Sequence, residues 1–154
     1  MPEQTPALPL RWLSDLHLDR AGPAERSAVA RRLRRDARPL VVTGDISTAP
    51  WLVDDLVWLS DTAAAPLWFV LGNHDHYGSS VGAVRDSVLA LADNRPSIRW
   101  LPPVGVVNLD DTTALVGVDG WADGRAGNPL TTRFVLNDDR LIAEIAAQPG
   151  RVGK

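Results

Sequence analysis

Cysteine is absent from the 154 residues, and with it go a disulfide framework, a thiolate zinc site, an iron–sulfur cluster and a cysteine nucleophile. Lysine is almost absent, since all 16 basic residues except Lys154 are arginine. Glutamate is scarce: Glu3, Glu25 and Glu144 stand against aspartate at every other acidic position among 19. Long apolar runs are missing too. The stretch 67–71 falls far short of the roughly 20 residues that a membrane span needs, and residues 1–9 have neither a basic n-region nor a signal-like apolar core. A soluble cytoplasmic chain with no membrane partner is the expectation. The formal net charge of −3 creates no field that would collect nucleic acid, so an anionic substrate has to be held locally.

What is present reads as one α/β domain over residues 1–154, within the usual range of roughly 100–200 residues per domain. Residues 10–18 read as a strand, followed by a helix from Pro23, a residue suited to the first helical turn, to about Arg35. Residues 39–43 and 66–71 are continuous apolar runs ended by Gly44 and Gly72, the pattern of parallel strands buried on both faces. Helices are expected at 51–64 and 81–91. In the first of these Leu52, Leu56 and Leu59 point inward, with Asp54, Asp55 and Asp61 outward. Strand–helix alternation predicts a parallel sheet covered by helices. Beyond Pro96 the texture changes to short strands at 98–101, 105–109 and 114–118, for which antiparallel pairing is expected, then a glycine-rich loop and a last helix over 137–147.

Polar clusters end each of the three predicted parallel strands: Asp15 and His17, then Gly44 and Asp45, then Gly72, Asn73, His74 and Asp75. Open α/β sheets bind ligands outside the carboxyl ends of their strands, so topology brings the three clusters to one place. Two carboxylates and an imidazole, from Asp15, Asp45 and His17, form a mixed oxygen and nitrogen donor set suited to manganese, iron or zinc. Asp45 has oxygens enough to bridge two ions, and Asn73 adds a carbonyl oxygen. Two such ions clamp a phosphoryl group and turn a water into a nucleophile. His74 is then left for the phosphoryl or leaving-group oxygen, with Asp75 expected to hold its tautomer. Each piece also has a structural reading, Gly44 and Asp45 as a strand end and helix cap for example.

The set D-x-H, G-D and G-N-H-D resembles the calcineurin-like metallophosphoesterases, at Asp15 to His17, Gly44 to Asp45 and Gly72 to Asp75. The likeness extends to residues 14–18, 77–79, 117–127 and 136–141. It implies the amino-terminal part of a four-layer α/β/β/α sandwich that hydrolyses a phosphomonoester or phosphodiester of a small substrate with metal-activated hydroxide. Metal residues would be Asp15, His17, Asp45 and Asn73, and catalytic residues His74 and Asp75. Members have a second half that supplies further metal histidines, the last in G-H-x-H. Here the histidines are His17, His74 and His76 alone, so the expectation is a truncated family domain with a weaker second metal site. Two other readings follow: a non-catalytic interaction module on the same fold, and an inactive fragment that could oligomerise through an exposed sheet edge.

Other features carry less. His76 is expected to point away from the site. The arginines at 31, 32, 34, 35 and 38 read as a solvated face. Trp12, Trp51, Trp58 and Trp68 read as core, whereas Trp121, in the glycine-rich loop between Asp119 and Asp123, is open between packing near the substrate and ordinary structural packing. Asp119 and Asp123 read as turn residues, with support of the metal ligands as the alternative.

Overall fold

Short blocks of leucine, valine and tryptophan build a four-stranded sheet in which every pairing is parallel, in the order β1-β2-β3-β4. The computed structural model describes residues 10–120 and 135–147. The strands are β1 (Arg11–Leu13), β2 (Leu40–Thr43), β3 (Leu67–Val70) and β4 (Ile98–Trp100). Leu13, Val42, Phe69 and Trp100 stand level across them. The crossovers are α1 (Pro23–Leu33), α2 (Ala49–Ala63) and α3 (Val81–Asn94).

One face of the sheet carries Leu40, Val42, Leu67, Phe69 and Ile98, packed against Leu33 of α1, Leu52, Leu56 and Leu59 of α2 and Val84 and Val88 of α3. Burying each large side chain there stabilises the fold by about 2 kcal/mol relative to exposure. The opposite face carries Val41 and Trp68, covered by Leu101, Val107, Leu109 and Leu115. Among the described residues its cover consists of the single helical turn α4 (Leu101–Val104) and a hairpin of β5 (Val107–Asn108) and β6 (Ala114–Leu115). No described helix is long and apolar enough to cross a membrane.

Several expectations change. Ile98–Trp100 joins the parallel sheet beside β3 instead of pairing antiparallel, because α3 returns the chain to that edge; among the described residues only β5 and β6 pair antiparallel. The first strand stops at Leu13, after which a 3-10 turn covers Leu18–Arg20. The last helix is two short ones, α5 (Asp138–Leu141) and α6 (Ala143–Ala146). Ile142 between them is extended and bridges to Ser79 in the loop before α3.

Side chains also depart from the sequence pattern. Asp55 is buried, not outward, because Arg26 reaches it at 2.7 Å while lying over the ring of Trp58. Trp12 and Trp51 are 70% and 58% exposed instead of core, whereas Trp68 is buried as expected. Trp121 and Asp123 lie outside the described residues, as does most of the glycine-rich loop.

Candidate metal centre

Three loops leave the carboxyl ends of β1, β2 and β3 side by side, and the first two continue to pair after the strands end. The amide of Asp15 donates to Gly44 O at 3.2 Å, that of His17 to Asp45 O at 3.0 Å and that of Leu18 to Ile46 O at 2.8 Å. Among the described non-glycine residues, positive φ occurs at Asp15 (53°), His17 (42°) and Asp45 (50°), and otherwise only at Ala64, which caps α2. Left-handed backbone costs a residue with a Cβ of the order of 1 kcal/mol. Three such residues in one cluster mean that the loops are held there by their surroundings.

Glycine makes the approach of the second and third loops possible. A Cβ on Gly44, whose φ is 85°, would stand 2.8 Å from the Gly72 nitrogen. With neither glycine bearing a side chain, Asp45 lies against Gly72 and its Oδ1 accepts the His74 amide at 3.1 Å.

The structure brings His17, Asp45 and His74 together, with one ligand atom from each inside 4.8 Å of the others. His17 Nε2 is 3.9 Å from Asp45 Oδ2. The His17 and His74 rings meet edge to face, with centroids 4.7 Å apart. The Nδ1 atoms of both histidines are buried without a hydrogen-bond partner. Imidazole nitrogens and a carboxylate oxygen this close together form a donor set that suits a divalent metal ion. Asp15 stands outside this trio, and its carboxylate accepts the Ser14 hydroxyl. Asn73 is the residue before His74, and its amide nitrogen donates to Asp138 Oδ1 at 2.8 Å and to the Tyr77 hydroxyl at 3.0 Å.

Asp75 does not orient His74. Its Oδ1 accepts the amides of Ile46 at 2.8 Å and Ser47 at 3.0 Å, and its Oδ2 that of Gly72 at 2.8 Å. The carboxylate is fully buried and locks the second loop to the third from within. Burial pushes its pKa up to about 7; the three N–H donors oppose that rise and the charge on Asp45 adds to it. The expected contact fails because the 3-10 turn His74–His76 directs Asp75 inward, toward the loop amides. His76 points away from the trio as expected. It is fully buried, and burial lowers its pKa and favours the neutral ring.

Three contributors escaped the sequence reading in these roles. Asp138 is buried and accepts both the Tyr77 hydroxyl and the Asn73 amide. Tyr77 stacks on His74 with centroids 4.3 Å apart; burial first, and then the Asp138 hydrogen bond, raise its pKa. Asp119, read as a turn residue, accepts the Leu71 amide at 2.9 Å and the Trp100 indole at 2.8 Å, tying the chain after β6 to the end of β3. The stretches 77–79 and 136–141 carried a signal for Tyr77 and Asp138 through their family likeness, but no spacing rule connects them. A concavity of about 670 Å³ between β1 and α1 contains none of the clustered residues. The convergence of donor atoms, not cavity size, marks the site.

In architecture the chain is similar to a crystal structure of a phosphopantetheinyl hydrolase from Mycobacterium tuberculosis, with a TM-score of 0.59 and 17% sequence identity. The match covers 92% of this chain and 57% of that one, so the chain spans little more than half the length of that neighbour. At this identity the likeness establishes the fold alone. No curated protein matches the chain. The sequence pattern of the calcineurin-like phosphoesterases, in contrast, matches residues 8–145. With its three donor loops at the ends of parallel strands, the chain belongs to the calcineurin-like phosphoesterase family.

Proposed function

We propose that the protein hydrolyses a phosphomonoester or phosphodiester of a small substrate at a divalent metal centre held by Asp15, His17, Asp45 and Asn73. The observation that carries the reading is the convergence of His17, Asp45 and His74 within 4.8 Å, with Asp15, His17 and Asp45 held in left-handed backbone, a conformation that costs stability. Manganese, iron and zinc all accept this donor set, and a second ion beside the first is the weaker one.

A bound divalent ion would supply Lewis acidity toward the phosphoryl group and lower the pKa of water. The chain's own residues do the rest. Asp45, anchored by the His74 amide, keeps its carboxylate against the imidazole of His17. His74 is clamped between the His17 edge and the Tyr77 face, which fixes its ring for a hydrogen bond to the phosphoryl group or a proton to the leaving oxygen. Asp75 acts one step behind, by holding the loops that carry Asp45 and Asn73. A cytoplasmic location belongs to the same proposal.

Manganese-supported hydrolysis of a chromogenic phosphodiester tests it. His74→Ala is expected to lower turnover by about 10²- to 10⁴-fold while manganese still binds, and Asp45→Asn to abolish both binding and turnover. Turnover that survives both changes overturns the assignment. A wild-type protein that binds manganese but hydrolyses nothing favours a non-catalytic interaction module.

A further inference from the structure

We propose that Asp138 is a positioning residue for the metal centre: its carboxylate turns the Asn73 amide so that the side-chain oxygen of Asn73 is offered to the ion. The inference rests on Asn73 being a metal ligand, as in the reading above.

An asparagine side chain has two faces of similar shape and opposite chemistry. One is an NH2 that only donates, the other an oxygen that only accepts. A divalent cation needs the oxygen. Unless something else distinguishes the faces, the ion itself has to turn the amide, at a cost in affinity. Asp138 distinguishes them, because an ionised carboxylate accepts and cannot donate. Its Oδ1 lies 2.8 Å from Asn73 Nδ2. The same Nδ2 donates to the Tyr77 hydroxyl at 3.0 Å, and that hydroxyl spends its own proton on Asp138 Oδ1. The NH2 face of Asn73 is thereby turned to the side of Asp138 and Tyr77. Among the described residues no group donates to the Asn73 oxygen, which is left for a ligand.

The carboxylate is not needed to attach its own segment. Residues 135–147 are fastened beside the third loop by the Gly78 amide donating to Leu141 O at 2.9 Å and the Ala143 amide donating to Ser79 O at 3.0 Å. Glu144 accepts the amides of Val81 and Gly82, and Ile142 and Ile145 bury against Tyr77. Against that attachment, Asp138 is a buried carboxylate with no cationic partner among the described residues. Burial of such a group is costly unless hydrogen bonds offset it. The two it accepts both lead into the metal loop, one to Asn73 and one to the ring stacked on His74.

Binding of Mn2+ to the protein, followed by the electron paramagnetic resonance of the free ion, separates the possibilities without relying on turnover. Asp138→Asn keeps the shape but can donate as well as accept, so the amide pair can reverse. Manganese affinity is expected to fall about 10-fold, in the usual range for a group that orients a metal ligand. In an Asn73→Ala background the same change is expected to cost no further affinity, since nothing remains to orient. Tyr77→Phe leaves Asp138 in place and is expected to lower affinity less than Asp138→Asn does. Melting in chelator, expected to be near wild type for both, shows that the variants fold. Wild-type affinity in Asp138→Asn overturns the proposal, as does an equal loss in both backgrounds, which is what a purely structural role produces. Wild-type affinity in Asp45→Asn overturns instead the reading on which it rests.

Discussion

Gly72 and Asp45 lie so close that a Cβ on Gly72 would stand 2.7 Å from the Asp45 amide nitrogen and closer still to its carboxylate Oδ1. The obstacle includes backbone, which cannot rotate aside. Gly72→Ala is therefore expected to cost about 1–3 kcal/mol as an overpacked contact and to displace the Asp45 carboxylate of the proposed metal centre. Urea unfolding and manganese titration together check this. A variant with wild-type stability and wild-type manganese affinity would show that the loops have room the structure denies them.

Asp75 gathers three buried amides from two loops. Asp75→Ala leaves all three without an acceptor, and with about 1–3 kcal/mol at stake for each buried unsatisfied group the expected loss exceeds about 3 kcal/mol. Asp75→Asn keeps one accepting oxygen and is expected to lose roughly half as much. Denaturant midpoints at unchanged slope are the readout. A loss in Asp75→Ala below about 0.5 kcal/mol, the ordinary surface level, would mean that the loops do not depend on the carboxylate.

Glu144 accepts the Val81 amide at 2.8 Å and the Gly82 amide at 3.1 Å, at the first turn of α3. Partial burial raises its pKa, but the two N–H donors outweigh burial and leave it below its ordinary value of 4.5. A carboxyl depressed in the folded state contributes stability above its unfolded pKa, and that contribution is lost as pH falls through the folded value. Glu144→Gln is expected to cost about 0.5–1 kcal/mol near neutrality, as a charged group at a helix start. Its difference from wild type should shrink as pH is lowered from about 6 to about 3, the range in which carboxylates titrate. A difference that stays constant over that range would assign the effect to shape instead of charge.

The parallel strands and the place of the site were legible because their signals are local. Buried runs such as 67–71 end in glycine, and each donor follows the run that positions it. Topology then supplies the convergence without any knowledge of side-chain contacts. Asp45 and His17 could be read in this way. Asp15 could be named as a donor, though it stands outside the trio that the fold brings together.

The remaining features depend on partners far away in sequence. Nothing near Asp138 announces that it faces Asn73, 65 positions earlier. Nothing near Ile142 shows that a helical pattern is to be broken for a bridge to Ser79. Trp12 alternates like a core residue and is exposed, because cover on its face is provided near β2, β3 and β4 instead. Asp75 lies beside His74 in sequence, yet the turn directs it to amides of another loop.

Sequence alone determined the alternation of buried strands and helices, the three loops and the class of ion their donors suit, since hydrophobic period and donor chemistry belong to each segment separately. Tertiary structure decided which donors meet, which carboxylate serves the loops instead of His74, and which distant aspartate faces Asn73. Hydrogen bonding and close approach are properties of pairs, and a pair exists only once the chain has folded.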